Sequence, residues 1–418
     1  MADFESEQAR REEALRLAVG EHVTLAGAAR RVGRSRQWLS KWKRRAETGE
    51  GLIDRSRAPL TSPTALPDDL VDQVLGYRDR LEADPVASIG STSIVAAMER
   101  DGVKPVPAER SIERILARHG RSRPPAKKRS RSTVPVLPLP DVGHIPGVWQ
   151  QTDWVQDRYL TGGVRFNSIQ LLDMGSEGLA TRQYLQRTVL HAVQLLLEAA
   201  WPQLSIPHGL SVDNAFAKTT HPDNPWTLFV RACLFFGVEV IVSPPSELGW
   251  TNGAENVNNL WQSRTIARHH YRTLSDLQAH SELFEHWANH LRPILNPTVC
   301  GTRYPAVLID KHRHQLRWPP DITLNDHLDP TGTLRIPLTL GRITFLRRVH
   351  TGVITLAHTK WPVDLPDHSL VVASITTGDA TLTIRHQASI ITTHPYPLRH
   401  PIKDPYYPPQ PNSLYHHA

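Results

Sequence analysis

Three carboxylates stand in settings from which a strand or a helix could aim them at a common point. They are Asp153 in GVWQQTDWVQ, Asp213 in GLSVDNAFA and Glu255 in SPPSELGWTNGAENVNNLWQSRTI. Acids gathered without a cation repel one another and raise their own pKa values. Their oxygens suit hard divalent ions. Two Mg2+ or Mn2+ ions about 4 Å apart would serve in-line displacement at a phosphodiester, activating the attacking oxygen and stabilising the leaving one. With 41 acidic residues in the chain, spacing alone leaves rivals: Glu247 for the third position, Asp157 and Asp173 for the first. A strand-end Asp is also a common turn or cap residue.

The elements needed to position these acids are legible. From Val148 to about Ile309, strands alternate with helices, the pattern of an α/β domain. Val148, Trp149 and Trp154 flank a first strand carrying Asp153. Leu171, Leu172 and Asp173 close a middle strand, and VEVIVSPP forms another. Asp213 ends a short strand just after the helix TVLHAVQLLLEAAW. Glu255 lies early in a helix that begins after Asn252-Gly253, with Asn258, Asn259 and Gln262 on its own side and Val257, Leu260 and Trp261 on the opposite, buried side.

In front of this stretch, Thr24 is placed to cap a short helix, LAGAARRV, which Gly33 ends. Ser35 is placed to cap the next, RQWLSKWKRRA. Trp38, Leu39 and Trp42 form that helix's apolar stripe, leaving Arg36, Gln37, Ser40, Lys41 and Arg44 outward, with Arg34 in the turn. Helix, Gly-containing turn and basic helix make the pattern of a helix-turn-helix. Arg30 to Arg45 holds eight basic residues and no acid, so phosphate contacts would supply affinity and the outward polar groups sequence choice. Two more helices, IGSTSIVAAMERDG and VPAERSIERILARHG, suggest a second reader, followed by the Pro- and Arg-rich linker RSRPPAKKRSRSTVPVLPLPDVGHIPG.

Bulk properties agree. A net charge of +7 favours a polyanionic partner. Two cysteines, Cys233 and Cys300, exclude a disulfide framework and a Cys-x-x-Cys zinc site. The charged N-terminus is not that of a signal peptide, and no run reaches the roughly 18 apolar residues of a membrane helix. A cytoplasmic protein with no membrane association is expected. Near the C-terminus, β-branched segments such as RITFLRRV, SLVVASI and TLTIR, broken by turn signals, suggest a small β-barrel or sandwich whose Arg342, Arg347 and Arg348 could face DNA or a neighbouring protomer.

Taken together, TDW followed by a strand pair, then VDN, then PPSELGWTNGAEN resembles the integrase core of bacterial insertion-sequence transposases, relatives of the retroviral integrases. The agreement continues in VRACLFFGVEVIVSPP and NHLRPILNPTVCGTRYPAVLI and spans roughly residues 140–310. The resemblance implies a ribonuclease H-like core in which Asp153 and Asp213 share one metal and Asp153 and Glu255 the other. The Asn-Gly-x-Glu setting chooses Glu255 over Glu247, and Asn214, Asn252 and Gly253 would shape the site's loops. It further implies a transposase that binds the ends of its mobile element and transfers 3′-OH ends to target duplex DNA, acting as a homo-multimer. Three departures are visible. The interval between Asp213 and Glu255 is lengthened by the loop KTTHPDNPW. Ala215 stands where relatives carry Gly. Gln262 stands where relatives often carry a DNA-contacting cation, with Arg264 nearby as the expected substitute. The His-His-Cys-Cys zinc module of retroviral relatives is absent.

The expected layout is therefore multidomain: an all-α helix-turn-helix domain (9–60), a second helical domain (61–120), a basic linker (121–147), an α/β integrase core (148–310), a small all-β barrel (330–397) and a tail (398–418). The rival reading is a helix-turn-helix regulator carrying an inactive integrase-like domain. A ribonuclease-like hydrolase of RNA–DNA hybrids fits the same metals, but the attached helix-turn-helix argues for duplex DNA.

Overall fold

The computed structural model describes residues 6–19, 23–54, 66–122, 145–217, 226–245, 247, 250–294, 301–321, 323–356, 359–379 and 381–396. Most of the linker, the loop after Ala217 and the tail lie outside these. Contacts divide the chain into two units, Met1–Pro67 and Asp68–Ala418. The first holds α1 (Glu7–Val19), α2 (Leu25–Arg31) and α3 (Arg36–Glu47). Both caps form: Thr24 Oγ1 accepts from the Gly27 amide and Ser35 Oγ from that of Trp38. Gly33 turns the chain between the helices with φ at 70°, a left-handed angle that glycine takes without Cβ cost. Ala14, Ala28, Ala29, Val32 and Leu39 form the core. The buried Trp42 ring lies 3.7 Å from the Arg11 guanidinium, which also bonds the Leu52 carbonyl and Asp54. Arg36, Gln37, Ser40, Lys41 and Arg44 are exposed. Arg34, in the turn before α3, is half-buried and ion-paired with Glu7.

The second unit opens with α4 (Asp68–Ala83), α5 (Ser91–Arg100) and α6 (Glu109–Arg118). These helices, expected as a separate second reader, pack against the α/β elements. Val86 and Ala87, between α4 and α5, are buried in one cluster with Val155, Trp261 and Phe284. Tyr304 Oη donates to the Ala96 carbonyl, and Arg303 pairs with Glu99. Helical periodicity shows which face is apolar, not which neighbour covers it.

The sheet is built from β1 (Trp149–Tyr159), β2 (Arg165–Asp173), β3 (Leu179–Tyr184), β4 (Gly209–Val212), β5 (Glu239–Val242), β6 (Arg342–Arg348), β9 (Leu370–Thr376), β10 (Thr381–His386) and β11 (Ser389–Pro395), while β7 (Val353–Leu356) and β8 (Thr359–Pro362) form a separate hairpin. Its nine strands run in the order β11-β10-β9-β6-β5-β4-β1-β2-β3. Strands β1, β4, β5 and β6 are mutually parallel, and the flanking pairs are antiparallel. One face is covered by α7 (Val189–Gln194), which runs through the π-helical Leu195–Ala200 into α8 (Trp201–Leu204), and by α10 (Leu228–Phe235). The other carries α11 (Asn252–Arg264) and α12 (Leu274–His290), with Phe166, Trp261 and Phe284 fully buried between. The short α9 (Asn214–Ala217) follows β4, and α13 (Pro305–Lys311) follows the core. The outer edge of β3 is closed by side chains of α12: Asn289 bonds both the amide and the carbonyl of Leu179, and Glu285 takes the Thr181 amide.

The segment expected as a separate small barrel or sandwich is a continuation of this sheet. Val240, Ile241 and Val242 pair in parallel with Ile343, Thr344 and Phe345. Glu239 ties the seam, accepting from Arg342 Nε at 2.9 Å and from Thr344 Oγ1 at 2.7 Å. Without β6, β5 would present an unpaired row of backbone groups. Alternating apolar residues specify strands but not partners, so the sequence alone left this junction open. No helix among the described residues is long and apolar enough to cross a membrane.

Candidate active site

The register of β1 against β4 decides which acids meet. Trp149, Gln150 and Gln151 pair with Gly209, Leu210 and Ser211. Continued two residues on, this register brings Asp153 level with Asp213, which directly follows β4 and lies close enough to repel it. Side chains alternate between sheet faces, so Trp149, Gln151 and Asp153 share a face with Ser211 and Asp213. A 2.8 Å bond from Trp149 Nε1 to Ser211 Oγ lies on that face. Asp213 turns the chain out of β4, its carboxylate accepting from the Ala215 amide.

Helix α11 lies over the same face, and its start is fixed by a buried side chain. Gln151 Oε1 accepts from the Gly253 amide at 2.9 Å and the Ala254 amide at 3.3 Å, satisfying two groups that a helix start leaves without partners. The approach depends on Gly253 having no side chain. A Cβ there would lie 2.7 Å from Gln151 Oε1, 2.8 Å from Met174 Sδ and 2.9 Å from Leu172 Cδ2. Glu255 then falls in the first turn, its amide bonded to the Thr251 carbonyl. One turn on, Asn258 Nδ2 donates to Asp153 Oδ2 at 2.9 Å, and Asp153 Oδ1 accepts from the Trp154 amide.

Electrostatics mark Asp153. Burial pushes its carboxyl up to about 6, the neighbouring Asp213 and Glu255 push in the same direction, and the Trp154 amide and Asn258 only partly offset them. Neither offsetting group carries a charge. An acid within a strand, destabilised by two other acids, is the chemistry a divalent cation relieves, and an all-carboxylate oxygen set fits Mg2+ or Mn2+. Among the described residues no three His, Cys, Asp or Glu side chains are gathered closely enough to hold a metal ion.

The rivals are occupied elsewhere. Glu247 is held by Arg348 at 2.6 and 2.9 Å and accepts from Trp250 Nε1, which keeps its carboxyl below the usual range. Asp173 is fully buried and pushed up to about 6, yet it accepts from the amides of Gly147 and Ser176 and from Ser176 Oγ, which makes it a loop anchor. Asp157 is exposed and paired with Arg165. Of the expected loop-shaping residues, Asn214 accepts from Arg347 Nη2 at 2.7 Å, and Asn252 is exposed at the start of α11.

Arg264, expected to face DNA, turns its guanidinium toward the α4–α5 connection. Its guanidinium bonds the Ala87 carbonyl and Ser88 Oγ and lies over the Trp287 ring, so it fastens the α4–α5 connection to the core. Beside Gln262 stands Arg158 from β1, whose Nε and Nη2 donate to Gln262 Oε1 at 3.0 and 2.7 Å. Gln151 and Arg158 were missed in the sequence. The alternation that places Asp153 also places Gln151 on the helix-facing side two residues earlier, which was the available signal. Arg158 lies beyond an irregularity in β1 between Val155 and Arg158 that breaks the alternation.

No family model and no curated protein matches the chain. Among solved structures it is similar to the simian T-cell lymphotropic virus intasome in complex with the PP2A regulatory subunit B56 gamma. The identity is 15%, covering 71% of this chain and 93% of that chain, with a TM-score of 0.35. It is also similar to the HTLV-2 integrase catalytic core domain in complex with magnesium. The dimeric form is 16% identical over 37% of this chain and 93% of that one (TM-score 0.28); the trimeric form is 14% identical over 39% and 96% (TM-score 0.29). Scores this low describe loosely superposed chains.

Proposed function

We propose that the chain is a transposase of the integrase type, cleaving the ends of a mobile DNA element and joining them to target duplex DNA with Asp153, Asp213 and Glu255 as its metal-holding carboxylates. The observation that carries this reading is Asp153: a half-buried carboxyl on β1, held by Asn258 of α11, level with Asp213 and raised to about 6 by desolvation and by the two other acids of the set. Such an arrangement costs stability unless a cation offsets it. Two Mg2+ or Mn2+ ions held between these three side chains would neutralise the acids and the charge developing on phosphate oxygens.

The chain's own groups do the positioning. Asn258 fixes the rotamer of Asp153, and the Gln151–Gly253 contact sets how closely α11, and with it Glu255, approaches β1. In the first step water displaces the 3′ oxygen at the element's end, leaving a free 3′-OH. In the second that 3′-OH attacks a target phosphodiester, forming the new P–O bond as the target's own 3′ oxygen departs. The exposed Arg36, Gln37, Ser40, Lys41 and Arg44 of α3 supply a duplex-binding face. Joining two ends in one event calls for at least two protomers on the DNA.

The test uses labelled duplexes taken from inverted repeats flanking the gene, a supercoiled plasmid as target, and Mg2+ or Mn2+. The wild type is expected to give joined product, and Asp213→Asn to give none. Tight binding of the ends with no cleavage in either metal would replace this reading with that of a DNA-binding regulator.

A further inference from the structure

Two consecutive arginines at the carboxyl end of β6 reach the turn that follows Asp213 and the segment that leads into the helix carrying Glu255. Arg347 is 7% exposed, and its guanidinium donates to Asn214 Oδ1 at 2.7 Å, to the Ser243 carbonyl at 3.2 Å and to the Leu346 carbonyl at 2.8 Å. Asn214 directly follows Asp213, and Ser243 directly follows β5. Arg348 grips Glu247 through both carboxylate oxygens and donates to the His368 carbonyl. Glu247 in turn accepts from the buried Trp250, and the next residue, Thr251, accepts the amide of Glu255.

Among the described residues no carboxylate pairs with Arg347. Burial lowers its pKa to about 10. A buried cation with only neutral partners costs stability, so a purely structural strand end would be better served by an apolar side chain. Val242, the last residue of β5, pairs with Phe345, so both arginines lie just past the carboxyl ends of β4 and β5, and crevices at the carboxyl ends of parallel strands are where α/β sheets bind ligands. Sequence reasoning had offered these side chains to DNA or a neighbouring protomer; their hydrogen bonds commit them inward.

We infer that Arg347 and Arg348 are positioning residues for the carboxylate site, Arg347 setting the Asp213–Asn214 turn and Arg348 setting, through Glu247 and Trp250, the entry to α11. The C-terminal strands are thereby part of the catalytic unit. This rests on the functional reading above.

The test pairs a readout that needs no activity with one that does. In metal-free, DNA-free full-length protein, amide exchange is followed across residues 211–217 and 250–256. Arg347→Met is expected to speed exchange in the first segment and Arg348→Glu in the second, each by 10-fold or more, while Arg347→Lys retains most of the protection. In Mn2+-dependent cleavage, both disruptive variants are expected to lower kcat by 10-fold or more with KM for the duplex held within twofold. The charge swap Glu247→Arg with Arg348→Glu is expected to restore kcat and protection together, which global unfolding would not allow. Unchanged exchange and kcat in the single variants, or a swap that restores neither at wild-type Tm, would overturn the inference. A wild type that cleaves nothing would overturn the functional reading, and the exchange data would then decide by themselves whether the arginines hold these loops.

Discussion

Asn258 donates from Nδ2 to Asp153 Oδ2 at 2.9 Å while its own buried Oδ1 has no hydrogen-bond partner among the described residues. An amide that turns over would present that oxygen instead, so the site can accept a donor at position 153 without repacking. Asp153→Asn should therefore be tolerated by the fold, and it removes a carboxyl that the folded state keeps charged at a cost. Moving that carboxyl from 3.8 to about 6 corresponds to about 3 kcal/mol at neutral pH. Without divalent metal, Asp153→Asn is expected to melt a few °C above wild type by scanning calorimetry. Added Mg2+ should raise the wild type's Tm and leave the variant's unchanged.

The same carboxyl sets a pH dependence. Its folded pKa lies above its unfolded one, so the folded state holds the extra proton between about 4 and 6. Metal-free stability is thus greatest below this window, falls as pH rises through it and levels off above about 6. Asp173, also raised to about 6 by burial, contributes a second component of the same sign. Denaturant midpoints measured from pH 4 to 8 should show both in the wild type and one in Asp153→Asn. A stability that rises across this window would show that neither acid is held as described.

Gly253→Ala tests the contact that seats α11. The added Cβ would meet Gln151 Oε1, Met174 Sδ and Leu172 Cδ2 at under 3 Å, so the helix start must lift away from β1. Overpacking of this kind costs roughly 1–3 kcal/mol, and Glu255 moves with the helix. Thermal unfolding should report a loss of that size, and cleavage should fall by about 100-fold, since small misplacements of catalytic groups are that expensive.

The α3 face should behave as a phosphate-contacting surface. Replacing Arg36, Lys41 or Arg44 by Ala should weaken duplex binding and lower the slope of log affinity against log salt by about 1 per contact removed. Gln37→Ala should leave the slope unchanged and alter preference among sequences. Fluorescence anisotropy across a salt series separates the two; equal slopes for all four variants would remove α3 from the interface.

What the sequence disclosed follows what is local. The caps at Thr24 and Ser35 depend on the next three residues, and they form as read. The strand carrying Asp153 and the helix carrying Glu255 depend on alternation and on the Asn-Gly start. The rest depends on distant partners. Arg264 lies on a readable helix, but its partners, Ala87 and Ser88, come from the α4–α5 connection. Arg347 and Arg348 look like surface cations until β6 is known to pair with β5. The seam that makes a barrel into a sheet extension rests on Glu239 meeting Arg342 and Thr344, a match no periodicity encodes.

The most direct measurement is Mn2+-dependent cleavage of a labelled element-end duplex by five proteins: wild type, Asp153→Asn, Asp213→Asn, Glu255→Gln and Glu247→Gln. Loss of cleavage by 1,000-fold or more is expected in the first three variants, because each removes a charged oxygen donor. Glu247→Gln, which disturbs only the Arg348 grip, should lose about 10-fold. Cleavage that survives Glu255→Gln and vanishes in Glu247→Gln would contradict the account and move the third carboxylate to the loop before α11.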